Sequence, residues 1–493
     1  MRDYSPKRRT ALVLAGTGAA GAYHAGVLKA LDESGVKVDL VVGSGAGAVA
    51  AAFAAVAGGE KLYGAGGFWP GANWATLYRI KPALRVAALL AGMALGVLLL
   101  PVLLALVAGL LFPFYLLADL VAPVVTARVV AALWVLPAFL RLPYLTALSV
   151  PVFILALSAL GMLGVAWLRH RRRLPEQFET WLDVGPARRR LGLKLWEVAR
   201  GSAVSGSPPS DAELGRRYVA LASENLGQPG FREMILRTAD LETGGPLAFA
   251  LLSSEGKHTF ATAMAPGRRF RGEGLPGAID LTAENHAAML FPAVLTGLLP
   301  PFSAGLCRVS FPRGGRYPGE THRLSDATLA GGCGLAEAIA AGAEQVILAA
   351  PVPEVHNPGH ARRGPRSAAS SALATLERQA FEAELAALQR TNRMVETLGH
   401  RDDLGRQAWE DPATGRIHRE FTLYVIRPAH RAIGPLELDG VEQASTEVVE
   451  TLDDLMEQGY RDAYREFVEP VVGGAPEPKR APQYEPEERA VEL

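Results

Sequence analysis

The first fifty residues alternate short apolar runs with glycine turns and apolar-periodic segments. Ala11 to Ala15 is an apolar run that enters Gly16-Thr17-Gly18-Ala19-Ala20-Gly21. Val27, Leu28 and Leu31 then fall on one helical face. A second apolar run, Leu40 to Val42, meets Gly43-Ser44-Gly45-Ala46-Gly47, and an alanine-rich helical segment follows. Strand, glycine turn and helix, repeated once, predict a parallel α/β sheet. Both turns fall at the carboxyl ends of strands, where open α/β sheets bind ligands.

The pattern changes abruptly further on. No charged residue occurs from Val86 to Ala118, and none from Leu142 to Leu168. A bilayer span needs about 20 apolar residues, so each stretch is long enough. Pro101 and Pro113 allow the first to tilt or kink, and Leu120 to Leu140 between them is uncharged except at Arg128. Arg79, Lys81 and Arg85 precede the first stretch; Arg169, Arg171, Arg172 and Arg173 follow the second. Cations on both outer flanks predict two crossings, with both flanks in the cytoplasm. Arg169 to Arg173 and Arg188 to Arg190 serve either topological retention or anionic headgroups. The expectation is a multi-pass protein of the cell membrane with its soluble domain on the cytoplasmic side.

From about Phe178 a soluble α/β pattern resumes. Phe249–Leu252 and Thr259–Ala263 predict a strand pair around Ser254-Glu255-Gly256. Asn285–Leu295 predicts a helix carrying His286, read as a packed or exposed helix residue. Ser370–Leu398 predicts an amphipathic helix with Phe381, Leu385, Leu388 and Val395 on the core face. Thr422–Ile426 predicts a buried strand and Val448–Phe467 a final helix. His356–Arg366 reads as a mobile loop, and the Pro- and Glu-rich stretch beyond Gly473 as a disordered tail. The chain thus divides at 1–60, 61–175 (the membrane insertion), 176–470 and 471–493.

Composition narrows the classes. The 493 residues carry 50 basic and 50 acidic side chains, so charge gives no case for a nucleic-acid partner. Cys307 and Cys333 form no metal or disulfide framework, which predicts a reducing compartment. The apolar run after Lys7, Arg8 and Arg9 is too short for a signal-peptide core. No cofactor and no metal are indicated.

The two turns carry the candidate chemistry. Gly16, Gly18 and Gly21 fit G-x-G-x-x-G. As a dinucleotide fingerprint this pattern needs an acid at the far end of the second strand, but Asp39 opens that strand instead. As an oxyanion hole, the glycines let backbone N–H groups crowd a developing negative charge beside a helix N-terminus. A turn that only packs helix on strand is the third reading. The second turn has the glycine frame of a G-x-S-x-G nucleophile elbow, whose sharp turn exposes a serine hydroxyl. Its central residue is Gly45, and Ser44 sits one place early.

Thr10 to Ala52 resembles the amino-terminal part of patatin-like phospholipases. In that family an oxyanion motif, a helix ending in G-V-L-x-A-L and a G-x-S-x-G elbow follow in this order. Gly16, Gly18 and Gly21 stand at the oxyanion positions, and Gly26-Val27-Leu28-Lys29-Ala30-Leu31 continues the match. Two departures stand out. Ala20 replaces a basic residue, and Gly45 occupies the nucleophile position. The resemblance extends to Leu324–Pro351, where Asp326 fills the place of the family's aspartate, with Gly342-Ala343 and Val346-Ile347-Leu348 behind it. That aspartate implies a general base for the nucleophile without a histidine, although Ala327-Thr328 breaks the usual D-G-G or D-G-A, and a capping role is equally open. Gly459 to Ala463 resembles the family's carboxyl-terminal helix.

The implied fold is a patatin-like open α/β sheet with helices on both faces, interrupted by a transmembrane helical insertion. Three functions follow. One is a protein acting on or binding lipid acyl chains, a pseudoenzyme-like relative with weak or no hydrolysis. Another is an active lipid acyl hydrolase using Ser44 with Asp326. The weakest is a transport role for the apolar segments. Membrane lipids are the expected partners. On this reading Gly45→Ser should install weak ester hydrolysis that Asp326→Ala removes.

Overall fold

The computed structural model describes residues 4–473 except 135–181, 202–206, 267–273, 301–306, 314–315, 328–330, 351, 354–364, 403–405, 414, 429–432, 435, 439–440 and 443–448. The chain forms two compact units. One comprises 1–79 with 184–493, and the other 80–183.

The first unit is built on a nine-stranded sheet. Its strands are β1 (Thr10–Gly16), β2 (Leu40–Gly45), β3 (Glu233–Asp240), β4 (Gly245–Leu251), β5 (Ala278–Asp280), β6 (Cys307–Ser310), β7 (Thr321–Ser325), β8 (Gln345–Ala349) and β9 (Thr422–Ile426). The order is β9-β8-β1-β2-β3-β4-β5, with β7 pairing β3 and β6 pairing β7. The first five strands are parallel. β4 returns antiparallel beside β3, so the sheet is mixed. β1, β2 and β8 are buried at every residue. This explains their unbroken apolar runs, since strands covered on both faces do not alternate.

The helices follow from the same pattern. α1 (Ala20–Glu33) and α2 (Gly47–Ala54) leave the two glycine turns. α5 (Gly185–Ala199) and α6 (Asp211–Asn225) open the return of the chain. α1 packs along α11 (Leu452–Ala463), so the amino- and carboxyl-terminal parts close one core. The long helix α10 (Pro365–Leu398) buries Phe381, Leu385 and Val395, as its periodicity predicts.

Several elements differ from the sequence expectation. Thr259–Ala263 is not a strand: Ser254–Met264 forms helix α7, with the Ser253 hydroxyl accepting from Gly256 N. That serine is in turn held by the Glu233 carboxylate. β4 finds its partner upstream in β3 instead. Around His286 the helix is broken. A 3-10 turn at Ala287–Met289 precedes α8 (Leu290–Leu295), and Asn285 has a positive φ of 67°. The last helix starts at Leu452, because Thr451 and Asp454 form a capping box there.

The second unit holds α3 (Pro82–Val121) and α4 (Pro123–Trp134). Among the described residues no helix is long and apolar enough to cross a membrane. The transmembrane insertion read from the sequence is therefore not seen as such. Its first stretch falls on the forty residues of α3. The second, Leu142–Leu168, lies outside the described residues, as do Arg169–Arg173, most of His356–Arg366 and the tail.

Candidate active site

β1 and β2 run side by side to their last residues. Ala15 pairs Ser44 and Gly16 pairs Gly45. The ladder continues past the strands, with Ala46 N donating to the Gly16 carbonyl at 2.7 Å. Gly45 has φ of +61°, a left-handed turn residue that sends the chain sharply into α2. This is the strand–turn–helix geometry of a nucleophile elbow. A Cβ at Gly47 would lie 1.9 Å from the Leu14 carbonyl oxygen, which explains the glycine that closes the frame.

Asp326 lies directly after β7, which is anchored antiparallel to β3 through Ser325 and Ala239. It is fully buried. Its Oδ2 stands 3.2 Å from the point where a Cβ at position 45 would sit. The sequence-predicted base and the elbow are thus brought together from residues far apart in the chain.

Position 45 itself is not open space. The same Cβ would lie 2.3 Å from the Gly16 carbonyl oxygen and 3.0 Å from Thr17 Cγ2. A side chain at this position would have to displace the Gly16 carbonyl. Ser44, which is buried, lines the adjoining pocket. It shares its register with Ala15 and Arg237, so it belongs to the strand and not to the turn's apex.

The oxyanion-type turn closes on itself. Gly18, with φ of +58°, bends the chain, and Ala19 N donates at 2.7 Å to the Glu437 carbonyl. Gly21 is covered by Trp69, whose ring would meet a Cβ there at 2.2 Å. Thus Ala19 N–H and Ala46 N–H, both at helix starts, already have carbonyl partners.

The pocket has a volume of about 400 Å3, including space open to solvent, and is lined by Gly16, Thr17, Ser44, Gly45, Cys333 and Glu377 among others. Glu377, from α10, has its carboxyl pushed up to about 8, first by burial and then by the Asp326 charge. The loop after Asp326 is held from behind. Arg237 donates to the Gly331 and Gly332 carbonyls and pairs with Glu337 at 3.2 Å. Glu384 accepts from Cys333 N at 2.5 Å and Ala336 N at 3.1 Å. His24, buried on α1, meets the Ala15 carbonyl at 3.0 Å through Nε2. Burial lowers its pKa to about 4, so the ring is neutral near pH 7. His286 is not in this set; its Nδ1 meets the Asp280 carbonyl at 2.9 Å.

Residues 12–127 match the model of the family described as patatin-like phospholipase. The likeness to that family is carried by this stretch. The matched residues include both glycine turns, and Asp326 lies beyond them. A solved structure similar to this one is that of VipD from Legionella pneumophila, at 11% identity and a TM-score of 0.32, covering 94% of this chain and 67% of that one. No curated protein matches the sequence.

Sequence reasoning missed Thr17, Glu377, Glu384, Arg237 and His24. Thr17 had a visible signal, being the one hydroxyl inside the glycine turn. The other four carry none, because their roles arise only when β3, α1 and α10 assemble around the pocket. Among the described residues no group of His, Cys, Asp and Glu could hold a metal ion. Cys307 and Cys333 are both free and buried.

Proposed function

We propose that this patatin-like protein binds lipid acyl esters in the pocket at the end of β1 and β2, and that hydrolysis through its elbow is weak or absent. The observation that carries this reading is the meeting of a left-handed Gly45 with Asp326. The base is present and the elbow residue has no hydroxyl. Occupied amides at Ala19 and Ala46 add to it, since oxyanion donors already satisfied by carbonyls cannot stabilise a developing charge without rearrangement. The alternative, hydrolysis through Ser44 with Asp326, is weakened by the position of Ser44 within the strand register.

The reading places the protein at the cell membrane, with its α/β unit on the cytoplasmic side and α3 in contact with lipid. It is supported by the uncharged stretch Val86–Ala118 and by exposed Leu103, Leu106, Leu110, Phe114 and Leu117, spaced three and four apart along α3. A reporter fused after Arg173 should then give a cytoplasmic signal, and a signal from the opposite side would overturn the orientation. Function is tested with the full chain in detergent micelles. Titration with a dansyl fatty acid should saturate, while steady-state release of p-nitrophenol from an acyl ester stays near the background rate. Rapid turnover that vanishes in Ser44→Ala would replace this reading with the hydrolase.

A further inference from the structure

Thr17 is 1% exposed, lines the pocket, and leaves its Oγ1 without a hydrogen-bond partner among the described residues. Buried hydroxyls ordinarily find partners, since leaving one unpaired is costly. Its Cγ2 lies 3.0 Å from the point where a Cβ at Gly45 would stand, and Asp326 Oδ2 lies 3.2 Å from that same point. Threonine carries a methyl and a hydroxyl on one Cβ. One staggered step about χ1 therefore moves the hydroxyl to where the methyl now sits, facing the same point that the Asp326 carboxylate faces. The hydroxyl that the elbow lacks is available from the neighbouring strand end.

We propose that Thr17 is the acyl acceptor of this pocket, with Asp326 as its base and a carboxylic ester of a lipid as the donor. The inference rests on the acyl-ester reading above. Asp326 takes the Thr17 hydroxyl proton as Oγ1 attacks the ester carbonyl carbon. The bond from that carbon to the alcohol oxygen breaks, and Asp326 returns the proton to the departing alcohol. A water molecule then gives a proton to Asp326, attacks the acyl-threonine, and releases the carboxylic acid with Thr17 reprotonated. The reacting oxygen lies at the amino end of α1, a fourteen-residue helix whose positive end favours the oxyanion. The Ala19 and Ala46 amides are engaged elsewhere. Loss of a single oxyanion donor costs about 10²–10³ in rate, so acylation is slow, in keeping with weak turnover.

The test uses the full chain in detergent micelles, treated with a fluorophosphonate and, separately, with a p-nitrophenyl acyl ester. The adduct is located by peptide mass spectrometry, and dansyl fatty acid binding and a thermal melt are recorded for each variant. The expected adduct is on Thr17. It should disappear in Thr17→Val with fatty-acid binding retained, persist in Thr17→Ser, and form about 10²-fold more slowly or worse in Asp326→Asn. Should Thr17→Val fail to fold, the adduct site on the natural chain still decides. An adduct on Ser44, or none on a chain that binds the fatty acid, overturns the Thr17 assignment alone. Neither adduct nor binding would overturn the acyl-ester reading with it.

Discussion

The carbonyl oxygen of Gly16 stands 2.3 Å from where a side chain at Gly45 would begin. Residue 46 locks it there, donating its N–H to that oxygen at 2.7 Å. The end of the β1–β2 ladder therefore occupies the place from which an elbow serine would project.

Gly45→Ser should accordingly fail to install ester hydrolysis. The new Cβ meets backbone, which cannot swing aside as a flexible side chain can. The residue must also hold a φ of +61°, at a cost on the order of 1–3 kcal/mol for a residue with a Cβ. The expected result is a lowered melting temperature and no gain in p-nitrophenyl ester turnover. A stable variant with new, Asp326-dependent activity would mean that the ladder end opens readily.

Glu384 should matter for stability although it stands behind the pocket. Its carboxylate caps the loop leading into α9 (Leu335–Ala340), taking the Cys333 and Ala336 amides. Glu384→Ala leaves both amide donors without this acceptor, at about 1–3 kcal/mol for the amide of buried Cys333, while exposed Ala336 is left to water. A urea denaturation midpoint unchanged from the natural chain would show that the loop is held by Arg237 alone.

The contrast between these residues shows what a sequence can reveal. Leu12, Val13, Val41, Val42, Ile347 and Leu348 are buried on both faces of a parallel sheet, so their runs of apolar residues name the strands directly. Gly16, Gly18, Gly21 and Gly45 were legible because tight turns restrict residue type. Asp326 was found through what followed it in the chain, an apolar strand in the right order. The filling of position 45 was not legible. It depends on the parallel register Gly16↔Gly45, which no local pattern encodes. Thr259–Ala263 misled because its Thr and Phe residues suit a strand, while the Ser253 cap and the Glu233 carboxylate behind it fix a helix.

His322 gives the fold a pH dependence on its alkaline side. It joins β7 to β3, with Nδ1 2.7 Å from Asp240 and Nε2 3.1 Å from Glu320. Burial opposes the charged ring, but the hydrogen bonds and charges of both carboxylates outweigh it and raise the pKa. A raised folded-state pKa contributes stability that is complete below the unfolded value of about 6.5 and is lost as pH rises through the folded value. Asp240 works in the opposite sense. Burial raises its pKa, but His322, Thr243 and the Glu242 amide lower it further, so its contribution disappears as pH falls through that lowered value. Thermal melts of the natural chain should weaken above about pH 6.5, and His322→Gln should flatten that limb. An identical slope in the variant would assign the dependence elsewhere.

Glu377 adds a second slope over an overlapping range. Its carboxyl is pushed from 4.5 up to about 8, with burial the larger cause and the Asp326 charge the smaller. The folded chain therefore holds a proton on Glu377 between about pH 4.5 and 8 that the unfolded chain has released. Stability falls as pH rises across that interval, because the unfolded state binds fewer protons there. Partial exposure of the side chain to solvent moderates the effect. Glu377→Gln keeps the shape and removes the titration, so it should be more stable than the natural chain at pH 8 and nearly equal to it at pH 4.5. Asp326→Asn, which removes only the charge, should lower the Glu377 pKa without returning it to 4.5, since burial persists. Carboxyl infrared titration of the natural chain and the two variants reads this directly. A Glu377 band that titrates at the same pH with and without the Asp326 charge would show that the two carboxyls do not share the pocket electrostatically.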